Sequence, residues 1–207
     1  NKELRINSTV DQIYDRMAMA TETLLAQGAT ATGTFIDVDP DVKDKSIQAA
    51  QKVREKYKGQ MVFKFLNQSS YGLFDEEARK WFEIGAEFVD ILGGLLKADQ
   101  GREEEHLAIL LGTAKEKGKM VHVHIDELNI PEEKETEMLL KKTIEHDMQG
   151  KVVGVHAISI NCQPKEYREN LYKQLADAQM MFISNPMSWI NARRSETLAP
   201  IHNPVIP

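Results

Sequence analysis

The sequence predicts an α/β fold, a (β/α)₈ barrel lacking its first and last strands, spread over residues 1–207 as a single domain. Three observations predict it. Short β-branched apolar runs alternate with segments of helical periodicity, the pattern of parallel strands joined by crossovers. The alternation repeats in near-equal units of about 30 residues, the size of one βα unit. The apolar runs are continuous rather than alternating, as in strands covered on both faces. Six such strands cannot close an eight-stranded barrel. An open doubly wound sheet is the alternative, but no Gly-x-Gly-x-x-Gly turn follows a strand, and Gly93-Gly94, expected in a loop, lacks the third glycine of a dinucleotide fingerprint.

Taken in order, residues 9–27 carry Val10, Ile13, Met17, Ala20, Leu24 and Leu25 at helical spacing, with Ser8 or Thr9 as N-cap and Gly28 as stop. Thr30 to Val38 is β-branched and runs into Asp37, Asp39 and Pro40, so a strand is expected there, followed by a helix from Asp41 to Tyr57. The same reasoning predicts strands at Met61–Leu66, Phe88–Leu92, Lys119–His124, Lys151–His156 and Met180–Ser184. Helices are predicted at Glu76–Ile84, Arg102–Lys117, Glu132–Asp147 and Pro164–Ala178, with Pro131 opening one and Gly118 closing another.

Composition narrows the function. A formal net charge of −6, with no cluster of Lys and Arg interleaved with aromatics, argues against nucleic acid as a partner. No apolar run approaches a membrane span, so no membrane partner is expected. Cys162 is the sole cysteine, which rules out an intramolecular disulfide and gives no support to secretion or a Cys-ligated metal, and a reducing, cytoplasmic location is expected. The chain opens Asn1-Lys2-Glu3 without a signal-type segment and stops after a proline-punctuated tail, so it reads as part of something longer.

The chemistry-bearing stretch is Met120-Val121-His122-Val123-His124-Ile125-Asp126-Glu127, a buried strand that delivers a histidine and a carboxylate into one loop. One helix later, Lys151–His156 ends in another histidine. Two successive strands finishing in metal-type ligands, with Glu127 three residues past the first, predict a mononuclear metal hydrolase whose glutamate moves protons. Alternation places His122 and His124 on one face, with His124 at the mouth and His122 one layer down as a buried structural residue. Asp126 suits either an anchor for its neighbours or a turn residue. Gln68, after the second strand, suits either the edge of a planar heterocycle or solvent. His106 and His146, on helices among charged residues, are expected to be solvated.

His124-Ile125-Asp126-Glu127, His156 at the next strand end, Gln68 two strands earlier and Asn185-Pro186 one strand later together resemble the cytosine deaminase branch of the amidohydrolase superfamily. The resemblance runs from the strand around Thr34–Asp39 to Arg193-Arg194, and its specific part is the His-x-Asp-Glu element. It implies a metal-dependent hydrolase of the (β/α)₈ type with one divalent ion, zinc or iron. It further implies that His124 is a metal ligand and that His156 coordinates the metal or orients its water. Glu127 would carry a proton to a ring nitrogen, and Gln68 would bind the substrate, with Asn185 beside it. No motif fixes an aromatic to stack on the ring, and Trp189, just beyond Asn185-Pro186, is the candidate for that place. The family also draws a His-x-His from its first strand and an aspartate from its eighth; no His-x-His precedes residue 122 here. The implied reaction is deamination of a cytosine-like small nitrogen heterocycle. The alternatives are hydrolysis of an N-alkylamino triazine or cyclic amide by the same site, and a non-catalytic barrel fragment with an incomplete metal site. A homo-oligomer is expected, because exposed strand edges favour pairing.

Overall fold

The computed structural model describes residues 2–185. Its strands are β1 (Ala31–Asp37), β2 (Val62–Gln68), β3 (Ile91–Leu95), β4 (Met120–Ile125), β5 (Val152–His156) and β6 (Met181–Ile183). Its helices are α1 (Lys2–Asn7), α2 (Val10–Ala26), α3 (Lys45–Lys56), α4 (Glu76–Phe88), α5 (Glu103–Lys117), α6 (Glu135–Glu145) and α7 (Lys165–Asp177), with 3₁₀ turns at Leu96–Asp99 and Ile158–Cys162. The fold is α/β, and the predicted alternation is observed. The chain divides into two compact units, Asn1–Gly93 and Gly94–Pro207. Among the described residues no helix is long and apolar enough to cross a membrane.

In the first unit β1 pairs in parallel with β2, from Ala31↔Val62 to Asp37↔Gln68, and β2 pairs with β3 at Leu66↔Ile91. Thr9 opens α2 through a reciprocal capping box with Gln12 at N3, which satisfies two otherwise orphaned backbone donors. The helix then packs Ile13, Val10, Tyr14 and Met17 against Val42 and Ala49. Ala20, predicted on the buried stripe, is exposed instead; Ala18 and Thr21 take that face. Asp90 stitches the unit together: its Oδ2 accepts from the Phe65 N–H at 2.8 Å and from Arg54 at 2.6 Å, while Arg54 lies over the rings of Phe65 and Phe88.

The third strand departs from its predicted place. The helix before it runs on through Phe88, whose ring packs at 6.1 Å from that of Phe65, and β3 starts only at Ile91. Gly93 and Gly94 are therefore strand residues, not loop. The reason is close approach: a Cβ on Gly93 would sit 2.0 Å from the Asn67 carbonyl oxygen, and the Gly93 N–H donates to Asn67 Oδ1 at 3.1 Å. Helical Gly85 does not stop α4 either, because it is the small contact through which the helix meets Val38.

In the second unit β4 pairs with β5 from Val121↔Val152 to Ile125↔His156, and β5 pairs with β6 from Val153↔Met181 to Val155↔Ile183, all parallel. On β4, Val121, Val123 and Ile125 are fully buried while His122 and His124 face the other way and are half-buried, so His122 is less enclosed than expected. Gly154 leaves room on β5 for Phe182 and Ile125, which a Cβ there would strike. Helix α5 carries Glu103, Glu104 and Glu105 in its first turn and Lys115 and Lys117 in its last, complementing the macrodipole, and ends at Gly118 in the left-handed region.

His106 corrects another expectation. It is buried on the inner face of α5 with Leu107, Leu110 and Leu111, and its Nδ1 lies 2.6 Å from Asp99 Oδ2. A charged sequence neighbourhood concealed one inward-facing position. Helix α6 starts at Glu135 rather than Glu132, because the residues before it are held in a turn by side-chain bonds.

Candidate metal centre

The C-terminal ends of β4 and β5 bring His124 and His156 together. His124 Nδ1 lies 2.9 Å from His156 Nε2, and the rings sit 5.0 Å apart at 42°. In the parallel register His156 pairs with Ile125, so strict alternation would send it to Ile125's face. Its meeting with His124 accompanies a break in extended backbone: His156 and Ala157 both adopt positive φ, 79° and 53°. This costs backbone energy for non-glycine residues and is held by neighbours. The Ala157 N–H donates to the Ile125 carbonyl at 3.1 Å, and the Ile158 and Ser159 N–H groups donate to the Asp126 carbonyl at 3.0 and 3.2 Å.

Glu127 completes the group. One ligand atom from each of His124, Glu127 and His156 can be chosen so that all lie within 4.8 Å of one another. The Glu127 side chain is 24% exposed and its Oε2 accepts from Lys97 Nζ at 2.6 Å. Burial pushes the His124 imidazole down to about 4, assisted by the neighbouring His156, with Glu127 opposing. Burial likewise holds His156 below its ordinary value. Both rings are therefore neutral at pH 7, the form in which a ring nitrogen keeps a lone pair for a cation. Two neutral imidazoles and a carboxylate are a donor set that suits a divalent ion of the zinc or iron kind.

Asp126 settles its two alternatives by being both. It turns the chain with φ of 52° and is 1% exposed. Its Oδ1 accepts from the Glu135 N–H at 2.8 Å, and its Oδ2 accepts from the Thr136 N–H and hydroxyl at 3.3 and 2.5 Å, capping α6 from nine residues upstream. In return the Asp126 N–H donates to Glu135 Oε2 at 2.6 Å. Burial raises Asp126 to about 6 and Glu135 to about 8.

The other predicted site residues are distributed as follows. Asn185 lies beside the pair, with Nδ2 3.4 Å from His156 Nδ1. For His156 Nε2 to serve as a ligand, Nδ1 must carry the proton, and the Asn185 amide can turn its oxygen to accept it. Gln68 ends β2 in the first unit, half-buried, in a polar cavity with Lys2, Arg5, Asp37, Ser70 and Tyr71. Trp189 lies outside the described residues.

Lys97 was missed. It follows β3 in Gly93-Gly94-Leu95-Leu96-Lys97, and a lone cation after an apolar strand gives no sign of its partner 30 residues on. A cavity of about 520 Å³ opens beside Glu127, lined by Lys97, Leu128, Ile130, Glu133 and Met138 among others.

No family model matches the chain. It is 50% identical to a Haemophilus influenzae protein described as uncharacterized, over 99% of this chain and 75% of that protein. It is 25% identical to the N-isopropylammelide isopropyl amidohydrolase of a Pseudomonas species, over 86% of this chain and 45% of the enzyme. In three dimensions it is similar to 5-methylcytosine deaminase from Klebsiella pneumoniae, liganded with phosphonocytosine, with a TM-score of 0.84 and 21% identity over 93% of this chain and 48% of that one. The chain thus spans about half the length of these two enzymes, and the structural likeness is one of fold. With 50% identity across nearly its whole length, the chain belongs to the family of the Haemophilus influenzae protein.

Proposed function

We propose that the protein is a metal-dependent aminohydrolase that deaminates a cytosine-like small nitrogen heterocycle. The observation that carries this is the convergence of His124, Glu127 and His156 at the ends of two adjacent parallel strands. His124 and His156 would hold the ion, with Asn185 fixing the tautomer of His156. A divalent zinc or iron ion bound there would supply a Lewis acid and a water of lowered pKa. Glu127 serves as the proton carrier. Its Oε2 is engaged by Lys97, so Oε1 is the atom that would take the proton released as water adds to the amino-bearing carbon and deliver it to a ring nitrogen; the tetrahedral carbon would then re-form its double bond to oxygen as ammonia leaves with the second proton of that water. Gln68 would pair with the amide edge of the ring and Trp189 would stack on its face.

In this proposal residues 1–207 form one barrel domain, and the six strands are the second to seventh of a (β/α)₈ barrel. The first strand would supply the family's His-x-His and the eighth its aspartate. A cytoplasmic homo-oligomer without nucleic-acid or membrane partners completes it.

The cavity beside Glu127 favours a second substrate class. Its carboxylates and its apolar Leu128, Ile130 and Met138 suit an alkylammonium better than ammonium, consistent with an N-alkylamino triazine or cyclic amide as substrate and with the similarity to the Pseudomonas amidohydrolase. Incubating the full-length protein, loaded with zinc or iron, with cytosine and with N-isopropylammelide distinguishes the two by ammonia or isopropylamine release. Glu127→Gln should lower either turnover by on the order of 10²–10⁴-fold while metal content stays unchanged. A protein that holds no stoichiometric metal and releases neither amine would instead be the non-catalytic barrel fragment.

A further inference from the structure

Two turns follow the strands that carry His124 and His156, the first of them holding Glu127, and hydrogen bonds lace them together. The first is the stretch from Asp126 to Glu135 after β4; the second is the 3₁₀ turn Ile158–Cys162 after β5. Ser159 lies at their junction, fully buried. Its N–H donates to the Asp126 carbonyl at 3.2 Å, its hydroxyl donates to Glu133 Oε2 at 2.5 Å, and its Oγ accepts from the Ile130 N–H at 3.2 Å. Glu133 Oε2 also accepts from the Leu128 N–H at 2.8 Å. Gln163 adds donations from Nε2 to the Pro131 and Glu133 carbonyls at 2.8 and 3.3 Å.

These bonds have an evident task. Asp126 and Asn129 in the first turn, and His156 and Ala157 just before the second, all adopt positive φ, a conformation that ordinary side chains disfavour and that needs external support. The carboxylate of Glu133 satisfies the N–H of Leu128, which follows Glu127 directly, and the hydroxyl of Ser159 satisfies that of Ile130, so the two N–H groups flank Asn129. We propose that Ser159 and Glu133 are positioning residues that fix the spacing of His124, Glu127 and His156 before any ion arrives. Neither touches the ligand atoms; they act by holding the turn after β4 against the turn after β5. The proposal rests on His124 and His156 being metal ligands, and its test separates the two claims.

The test uses the full-length protein freed of metal. Amide hydrogen exchange is followed across residues 126–135 and 157–162, and Zn²⁺ affinity is measured by calorimetry on the same preparations. Ser159→Ala and Glu133→Ala should each speed exchange in both turns by about tenfold and weaken Zn²⁺ binding by about tenfold, the lower end of what loss of a ligand's supporting partner produces. Glu133→Gln keeps an oxygen that can accept from Leu128 and Ser159, so it should restore both quantities to near the wild-type values. Unchanged exchange and affinity in the two alanine variants would overturn the proposal, as would a Glu133→Gln variant as impaired as Glu133→Ala. A wild-type protein that takes up no Zn²⁺ would sink the metal assignment alone. Exchange then decides the clamp: faster exchange in the alanine variants supports it, and unchanged exchange refutes it.

Discussion

The C-terminal ends of β1 and β2 and those of β4 and β5 look alike in the sequence and do different work. Both place polar or ionisable side chains at or just past the ends of adjacent parallel strands: Asp37, Asp39 and Gln68 in one unit, His124, Glu127 and His156 in the other. In the first, the two aspartates are spent on the fold. Asp39 is 0% exposed, its Oδ1 accepts from the Asp41 and Val42 N–H groups at 3.1 Å each, and its other oxygen pairs with Arg5 of α1. Asp37 is raised by burial despite the same arginine. In the second, ring nitrogens and a carboxylate oxygen gather within 4.8 Å of one another, and the anchoring is delegated to Asp126, Glu133 and Ser159. A strand-end carboxylate becomes available for chemistry when another residue caps the loop for it.

The difference can be broken by crossed substitutions. Asp39→Ala leaves two backbone donors and a guanidinium without their acceptor, so it should destabilise the protein by about 3–5 kcal/mol in denaturant unfolding. In whatever fraction remains folded, zinc stoichiometry should be unchanged. His124→Ala should do the reverse, abolishing stoichiometric zinc while altering metal-free stability by only about 1 kcal/mol. If Asp39→Ala abolished zinc binding without loss of stability, the contrast between the two strand ends would be wrong.

The alternation of strands and helices was legible because buried parallel strands are written as apolar runs and helices as 3.6-residue periods. The His124–Glu127–His156 group was legible because its members close two such runs. What was not legible depends on contacts distant in sequence. Gly93 looks like a loop glycine until the Asn67 carbonyl is placed beneath it. His106 looks solvated among glutamates until Asp99 meets it. The positive φ of His156 and Ala157 has no composition signal, since neither is glycine, and it goes with hydrogen bonds from the Ala157, Ile158 and Ser159 amides to the Ile125 and Asp126 carbonyls.

The anchoring residues of the second region also give it a pH signature. Glu135 is raised by burial from an ordinary 4.5 to about 8, so its contribution to stability is fully present below pH 4.5 and is lost as pH rises through 8. His124 works in the opposite sense: depressed to about 4, its contribution is present above pH 6.5 and is lost as pH falls toward 4. Glu135→Gln keeps an acceptor for the Asp126 N–H and removes the first dependence alone. Relative to the wild type, it should gain roughly 4 kcal/mol in moving from pH 5 to pH 9, or about 8–16 °C in Tm. A stability difference that stays constant over that range would mean that Glu135 is ionised in the folded state throughout.

The smallest effect on stability should come with a selective effect on function. Lys97 is 63% exposed, and its pair with Glu127 is the kind of surface contact that contributes about 0–1 kcal/mol. Lys97→Ala should therefore leave Tm within about 2–4 °C of the wild type. If Glu127 is the proton carrier, however, the 2.6 Å contact does more than bind two charges, because it selects which carboxylate oxygen faces the reacting ring. Removing it gives the side chain more than one orientation and should lower kcat by roughly 3–10-fold with little change in KM, the mark of a group whose placement counts in the transition state. Equal losses in Tm and none in kcat would reduce Lys97 to a surface ion pair like those on the helices. A fall in kcat at constant Tm would instead place it with the second region's anchors, as the one that reaches the site from the turn after β3.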